Sequence, residues 1–230
     1  TSINNTVIHI TDSSNITITS SEVFGNNSGN DGGAFHIREG SNLSVLDSRI
    51  HNNSTPSDSG SGGGIYLVYN SSATIANSEI SQNSCFGYGG GVYAFSNCSI
   101  DILNSTIADN EATGYGDSGI HLSESSGQIE SCIIWGNNGG NGSQLSNLFN
   151  SGNVFNTVVE GGMNGASNLT LDPMFCDSES GDYSLNIASD IFNQYGSFVG
   201  AYDVGCSDFE GCTDPNSCNY EPNADWDNGS

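Results

Sequence analysis

Hydrophobic and small polar residues recur along this chain at a nearly fixed spacing. The clearest column consists of bend residues separated by 27, 30, 27 and 27 positions: Ser21, Ser48, Ser78, Ser105 and Cys132. An isoleucine or valine follows each bend residue by two positions, and an asparagine follows it by five, the last of these being Ile134 and Asn137. A repeat of this length indicates a solenoid in which each repeat is one supersecondary unit.

Each repeat has the pattern of short β-strands separated by turns. Apolar and polar residues alternate over residues 15–19 and 100–102, which is the period of a strand. The abundance of Gly, Ser, Asn and β-branched residues argues against helices. We therefore predict an all-β parallel β-helix with about 27 residues and three short strands per coil, stacked about 4.8 Å apart. The 30-residue step is explained by extra turn residues at 55–61.

A glycine-led strand in every repeat raises the question of which face points outward. We expect the face with the smaller aliphatic residues to fill the narrow core. On this face Ala34 and His36 are aligned with Ile65 and Leu67 of the next repeat. The opposite face would then carry an aromatic contact ladder made of Phe35, Tyr66, Tyr93 and Phe95. Two interpretations of this ladder stay open: a loop of the same chain covers it, or it is an exposed strip that binds another subunit or a glycan. His9 and His36 are expected to be ladder partners of one another and not metal ligands.

The chain is strongly acidic, and its charge limits the classes of partner that it can bind. Only Arg38 and Arg49 are basic against 26 acidic residues, and the formal net charge is −24. Such a surface repels nucleic acid and anionic lipid, whereas it suits counter-ions such as Ca²⁺. Seven cysteines without metal-like spacing favour an oxidising, extracellular setting. No apolar run reaches membrane-spanning length, and a start at Thr1 without a signal peptide suggests a mature or excised piece.

The last third of the chain resembles a known family. The ordered motifs Ile133-Ile134-Trp135-Gly136-Asn137, Val159-Glu160-Gly161-Gly162, Asp172-Pro173-Met174-Phe175, Gly181-Asp182-Tyr183-Ser184-Leu185 and Gly200-Ala201-Tyr202 look like the closing coils of pectin-lyase-like right-handed β-helix domains of secreted bacterial surface proteins. The glycine-led repeats resemble those of polymorphic outer-membrane proteins. The resemblance implies a parallel β-helix over residues 1–206, followed by a small cysteine-containing module at 207–230 that looks incomplete. It is specific for fold and not for function.

The cysteines near the end of the predicted solenoid are disulfide candidates. Cys176 and Cys206 flank the closing coil and are the pair that we expect to be bonded, while Cys212 and Cys218 are further candidates in the small module. The sequence assigns no partners to Cys85, Cys98 and Cys132.

The catalytic groups that enzymes on this fold require are not evident. A polysaccharide lyase needs a base to abstract a proton beside a carboxylate, and usually Ca²⁺. Arg49 falls in a column with Glu79 and Thr106, where we expect it to be an ion-pair partner on the surface. No pair of carboxylates converges as a glycosidase would need. We assign no catalytic residue and no required cofactor.

Two kinds of modification or metal site are suggested by the polar residues. Asp214, Asp225 and Asp227 are candidate Ca²⁺ ligands, but their spacing does not match an EF-hand loop and a solvated acidic turn is the favoured explanation. Asn-x-Ser/Thr sequons are candidate glycosylation sites, although turn chemistry also selects Asn and Ser. They occur at Asn4, Asn15, Asn26, Asn42, Asn52, Asn53, Asn70, Asn97, Asn104, Asn141, Asn168 and Asn228.

Two hypotheses for function follow from these patterns. The first is a non-enzymatic, secreted structural or adhesive protein of a bacterial surface, which self-associates head to tail or laterally, forms part of a fibre and contacts glycans or a host surface. The second is a β-helix that binds or degrades polysaccharide, with Phe35, Tyr66 and Tyr93 as a stacking platform. Neither hypothesis involves nucleic acid or a membrane span.

Overall fold

The computed structural model describes residues 2–3, 7–140, 144–145, 153–195, 199–206, 210–211 and 226–227. Side chains are described for 7–140, 144–145, 153–192, 194–195 and 199–206. The chain winds as an all-β parallel solenoid of about five turns with roughly 27 residues per coil, as predicted. Each complete coil contributes one strand to each of four parallel sheets, because a fourth strand of two residues follows the three that the sequence predicted.

The four sheets follow one another around each coil. The five-stranded sheet contains Ile8–Ile10, Phe35–Ile37, Ile65–Val68, Val92–Phe95 and Ile120–Ser123. The six-stranded sheet contains Asn15–Thr19, Asn42–Leu46, Ser72–Ala76, Ser99–Leu103, Ser126–Glu130 and Val154–Phe155. The seven-stranded sheet contains Ser2–Ile3, Glu22–Phe24, Arg49–His51, Glu79–Ser81, Thr106–Ala108, Ile133–Trp135 and Val158–Val159. The four-stranded sheet contains Ser54–Thr55, Ser84–Cys85, Glu111–Ala112 and Asn138–Gly139.

The core is made of apolar ladders that run along the solenoid axis. The predicted column in the seven-stranded sheet is fully buried: Val23, Ile50, Ile80, Ile107 and Ile134. The predicted column in the six-stranded sheet is also buried: Ile18, Val45, Ile75, Ile102 and Ile129. Because strands pair in register with those 27 or 30 residues away, like side chains stack on like side chains.

Asparagines at the corner before the four-stranded sheet form a second, polar ladder. We call it the asparagine ladder: Asn26, Asn53, Asn83, Asn110 and Asn137. Each Nδ2 donates to the Oδ1 of the next asparagine along the axis at 2.7–3.0 Å, and Asn137 donates instead to Oε1 of Gln144 at 2.7 Å. The hydrogen bonding along the axis that the repeat suggested is therefore present, inside the protein.

A glycine directly before three strands of the five-stranded sheet lies close to the next coil and to this ladder. A Cβ atom on Gly91 would lie 2.6 Å from the carbonyl oxygen of Gly119 and 3.1 Å from Nδ2 of Asn110. Real Cβ atoms do not approach a backbone oxygen that closely, and the same holds at Gly64 and Gly119. Glycine at these three positions therefore permits the close approach of successive coils beside the asparagine ladder, while the earlier coil has Ala34 there.

A separate unit follows the last coil and lies against the outer face of the seven-stranded sheet. It consists of residues 175–195 and 199–206 and is called the C-terminal strap. It contains a three-stranded sheet of Phe175–Asp177, Asp182–Asn186 and Val204–Cys206, a 3₁₀ helix at Ser178–Ser180 and an α-helix at Ile191–Tyr195. Cys176 and Cys206 form the expected disulfide across it. Farther along, Glu210–Gly211 pairs in parallel with Trp226–Asp227.

Candidate functional site

An aromatic column runs along the outer face of the five-stranded sheet. Strand pairing places His9, His36, Tyr66, Tyr93 and His121 in one register, and we call this column the aromatic ladder. Successive ring centroids are separated by 5.3, 4.9, 5.4 and 5.5 Å. The ladder thus crosses all five strands, and His9 and His36 are neighbours in it, as the sequence predicted.

The predicted membership of Phe35 in this ladder is wrong. Phe35 is completely buried and pairs with Ile8 and Ile65 in the core column, while its neighbour His36 points outward and contacts Tyr66. The reason is that Ala34, not Gly33, occupies the position of the third glycine, so Phe35 is the counterpart of Ile65. A shift of one residue in a strand moves every side chain to the other face.

Tyr66, Tyr93 and Phe95 do point outward but are half-buried. The Phe95 ring lies 6.5 Å from that of Tyr93, between centroids. Burial is the main cause that raises the pKa of both tyrosines. Adjacent ladder rings pack against one another at interplanar angles of 30–39° except at the edge-on contact of His36 with Tyr66, so much of the ring surface is used within the ladder.

Aromatic residues from two successive loops cover one side of the ladder. The Tyr88 ring lies 4.6 Å from His121 and 5.9 Å from Tyr93, and Tyr115 lies 6.1 Å from Tyr88. Tyr115 remains 56% exposed. Loops of the same chain therefore cover the ladder in part, and an exposed aromatic margin remains at Tyr115, whereas binding of another subunit or a glycan to it stays a prediction. The aromatic ladder together with Tyr88 and Tyr115 is called the aromatic surface.

Sequence reasoning missed Tyr88 and Tyr115 although a signal was present. They lie 27 residues apart, the same step as the strands. They were overlooked because they fall in loops, where glycine and serine interrupt the columns.

Acidic groups surround the aromatic surface. Asp117 Oδ2 accepts a hydrogen bond from Nδ1 of His121 at 2.7 Å, and both side chains are largely buried. Asp31 acts electrostatically on His36, Tyr66 and Tyr93, and Glu124 acts on Tyr93. The pKa of His36 is lowered, first by burial and then by the charge of His9, so this imidazole favours the neutral form. The nearby cation is Arg38, which pairs with Glu39 at 3.6 Å.

The outer face of the seven-stranded sheet, in contrast, is covered by the C-terminal strap. Arg49 donates to both carboxylate oxygens of the fully buried Glu79 at 3.0 and 3.2 Å, and Tyr202 donates to the same carboxylate. Arg49 also donates to the Gly181 carbonyl oxygen at 3.0 Å. The predicted ion pair in this column therefore exists, but it is half-buried beneath the strap and not a surface pair.

A groove lies between the strap and an exposed corner of the solenoid. Its volume is about 530 Å³. Amide, hydroxyl and backbone groups line it: Asn77, Asn104, Ser131, Gly200, Ala201, Tyr202 and Asp203. Asn77 donates to Asp47 at 3.1 Å and accepts from Asn104 at 3.4 Å, so the corner is a second, solvent-facing amide ladder.

The structure sorts the predicted glycosylation sites by exposure. Asn26 and Asn53 are removed from the candidates because their amides are buried in the asparagine ladder. Asn104 and Asn168 are half-buried. The exposed candidates are Asn15, Asn42, Asn52, Asn70 and Asn97. Asn4, Asn141 and Asn228 lie outside the described residues.

The predictions for the C-terminal module fall outside the described part of the chain. Cys212, Cys218, Asp214 and Asp225 lie there, and so does the side chain of Asp227. Among the residues that are described, no cluster of three or more His, Cys, Asp or Glu could hold a metal ion. Cys85, Cys98 and Cys132 are free and buried, and burial raises the pKa of Cys85 and Cys132 to about 12, which keeps both thiols protonated. Within the described ranges, no helix has the length and apolar character needed to cross a membrane.

The architecture defines the class of protein as a right-handed parallel β-helix. A family model described as a right-handed beta helix region matches residues 1–172, and the chain belongs to that family. No curated protein and no solved structure matches it. The family includes both enzymes and non-enzymes, so membership establishes the fold and leaves function to the surface features described above.

Proposed function

We propose that this chain is a non-enzymatic, extracellular structural or adhesive protein that contacts a partner through the aromatic surface. One observation carries the proposal: the strap covers the outer face of the seven-stranded sheet, whereas the aromatic surface keeps an exposed margin at Tyr115. Surface aromatic residues concentrated in one place are typical of interaction sites. Secretion from a bacterium and participation in a fibre belong to the same proposal, supported by the sequence resemblance and by the disulfide.

Adhesion of protein-coated beads tests this function. Beads carrying the parent chain and beads carrying Tyr115→Ala would be compared for retention on bacterial and animal cell surfaces. We expect Tyr115→Ala to reduce retention, while Leu103→Ala, which changes an exposed apolar residue on the six-stranded sheet, serves as the matched control. Equal retention of all three preparations would contradict the proposal.

Polysaccharide binding or degradation is the second candidate function. The groove beside Asn77, Asn104 and Asp203 supports it, since its volume of about 530 Å³ is within the range of small-molecule sites and its amides and hydroxyls could hydrogen-bond sugar hydroxyls. Incubation with neutral and acidic polysaccharides, followed by assays for reducing and unsaturated ends, tests degradation. Release of either product would favour this function over the first.

Glycosylation of the exposed asparagines is a subsidiary proposal. Asn42 and Asn97 are exposed, although each donates its amide to a neighbouring asparagine, at 2.6 and 2.7 Å. Attachment of a glycan would therefore have to replace part of an exposed amide ladder. Mass spectrometry of the secreted protein tests this directly, and a bare polypeptide mass would exclude it.

A further inference from the structure

The partner chemistry of the aromatic surface can be inferred from its open rings and its charge. Tyr115 is 56% exposed while it contacts Phe86 and Tyr88, so part of its ring is open to solvent. Tyr88 connects it to Tyr93 and His121. The accessible margin is thus one open tyrosine ring backed by a packed aromatic layer.

The charged groups that act on the aromatic ladder behind this margin are mainly acidic. Asp117 lies against His121, Asp31 acts on Tyr66 and Tyr93, and Glu124 acts on Tyr93. Arg38 is the nearby cation, and Glu39 offsets its charge. The net charge of −24 over the whole chain adds a long-range field of the same sign.

These features argue against three other occupants. An extended neutral glycan needs several open ring faces in succession, but the ladder rings pack on one another at 4.9–5.5 Å. An acidic polysaccharide is repelled by the carboxylates. A second copy of this chain carries the same charge of −24 and would bring carboxylates against carboxylates at this surface, so head-to-tail self-association of the chain would not use it.

We propose that the aromatic surface binds a cationic protein segment that presents arginine side chains. Arginine stacks on tyrosine through cation–π and planar contacts, and its guanidinium pairs with carboxylates. Tyr115 supplies the open ring, Asp117 lies 2.7 Å from His121 of the ladder, and Asp31 and Glu124 act electrostatically on the ladder tyrosines. This inference rests on the proposed function, because it names the class of partner that the adhesive surface takes.

Two labelled peptides, octa-arginine and octa-lysine, distinguish this site from general attraction to an acidic protein. Binding to the full chain would be measured by fluorescence anisotropy at 0.15 M salt. Both peptides experience the long-range field, but only arginine gains planar stacking on the open ring. We expect octa-arginine to bind more tightly, and Tyr115→Ala to weaken it about 2- to 5-fold while leaving octa-lysine less affected. Tyr115→Phe keeps the ring and is expected to retain the arginine preference.

Charge-matched variants test the contribution of the carboxylates. Oδ1 of Asp31 accepts a hydrogen bond from the backbone N–H of Ser61 at 2.9 Å. An asparagine at this position can accept the same bond, so we expect the loop to keep its structure in Asp31→Asn. Asp101→Asn removes the same charge from an exposed position on the six-stranded sheet. We expect Asp31→Asn to weaken octa-arginine binding more than Asp101→Asn does. Equal effects would contradict the assignment to this surface.

The outcomes separate the partner class from the function. If cell adhesion depends on Tyr115 but the arginine preference is absent in the parent chain, the partner has another chemistry and the proposed function stands. Displacement of octa-arginine by the neutral glycan cellohexaose at equal affinity would likewise overturn the cationic partner. If neither adhesion nor peptide binding responds to Tyr115→Ala, both proposals fail.

Discussion

The asparagine ladder shows how a single residue type holds successive coils together. Asn83 accepts hydrogen bonds from the backbone N–H and Nδ2 of Asn53 at 3.0 and 2.9 Å, and donates to Asn110 and to the Ile50 carbonyl oxygen at 3.0 and 2.9 Å. All three asparagines are fully buried. In this setting an amide without a partner is unfavourable, because neither water nor another group replaces the lost bond.

Replacing one rung of the buried ladder is expected to destabilise the solenoid strongly. Asn83→Ala leaves two donors of Asn53 and one carbonyl oxygen without their partner, so we expect a loss of about 3 kcal/mol or more in the free energy of unfolding. Asn104→Ala removes a rung of the solvent-facing ladder, and we expect it to lower the free energy of unfolding by about 0.5 kcal/mol or less. Urea unfolding followed by circular dichroism measures both, and equal losses would contradict the distinction.

Phe35 provides a second residue-level prediction, which checks the strand register. Phe35→Ala removes a fully buried ring from the core and is expected to cost about 3–5 kcal/mol. Phe95→Ala changes a half-buried ring on the outer face of the same sheet and is expected to cost much less. Comparison of the two urea midpoints would show which ring lies inside, and a smaller effect for Phe35→Ala would overturn the register.

At the scale of elements, the C-terminal strap converts one sheet face into a second, smaller core. Ile133 and Val158 of the seven-stranded sheet pack with Leu185, Ile191 and Val199 of the strap. Toward the earlier coils the contacts become polar, with Tyr183 donating to Asp109 at 2.9 Å and the Ala201 N–H donating to Thr106 at 3.0 Å. The strap is therefore anchored by apolar burial at one end and by hydrogen bonds along the rest.

The hydroxyl group of Tyr202 is expected to contribute more than that of another strap tyrosine. Tyr202 donates to the buried carboxylate of Glu79, whereas Tyr195 donates to the carbonyl oxygen of Ser167 at 2.7 Å. Hydrogen bonds to charged groups contribute about 1.5–3 kcal/mol and neutral ones about 0.5–1.5 kcal/mol. Tyr202→Phe should thus lower the unfolding free energy more than Tyr195→Phe, and the reverse order in urea titrations would contradict the Glu79 contact.

Asp109 makes part of the stability depend on pH. Burial raises the pKa of Asp109 above its ordinary value of 3.8, against the opposing effect of the hydrogen bond from Tyr183. Because the folded state holds the proton more tightly than the unfolded state, this contribution to stability is complete below the unfolded pKa and is lost as the pH rises through the folded pKa.

Asp109→Asn is expected to remove that contribution to the pH dependence. The amide oxygen can still accept the Tyr183 hydrogen bond but carries no charge at any pH. The urea midpoint of the variant minus that of the parent should therefore increase as the pH rises from about 4 to 7. A constant difference between the two proteins across this range would contradict the raised pKa.

For the whole molecule, the dominant property is the net charge of −24. Repulsion between copies opposes the head-to-tail or lateral self-association that the sequence suggested, and salt screens it, with a Debye length of about 30 Å at 0.01 M and about 8 Å at 0.15 M. Ca²⁺, as a counter-ion, would also weaken the repulsion between copies. Self-association remains a proposal, and its dependence on salt is the informative measurement.

We predict monomers at 0.01 M NaCl and larger species at 0.15 M NaCl or on addition of Ca²⁺. Sedimentation velocity would measure the distribution, and electron microscopy would show whether larger species are filaments. A MgCl₂ sample of equal ionic strength controls for a specific effect of Ca²⁺. A monodisperse monomer under all these conditions would contradict self-association.

Much of the fold could be predicted because the same residue types recur at equivalent positions in successive coils. The column from Val23 to Ile134 and the asparagine ladder were both assigned from spacing alone, and the strand register confirms them. The register of the first glycine-led strands was not, because Ala34 stands where the later repeats have their third glycine, and this difference hides the equivalence of Phe35 with Ile65. One small residue in place of another carries little signal in the sequence, yet an alignment that is wrong by one residue assigns every side chain of the strand to the wrong face.

The sequence by itself determined the solenoid, since stacking of identical coils needs only a repeated pattern of apolar, glycine and asparagine positions. Only the tertiary structure decided which faces remain open. The strap reaches Glu79 from Tyr202, 123 residues away, and Tyr88 reaches His121 from a neighbouring loop. The strap shares no period with the sheet that it covers, and the loops that carry Tyr88 and Tyr115 keep the 27-residue step but not the strand pattern, so the exposed margin at Tyr115 is evident only in the folded chain.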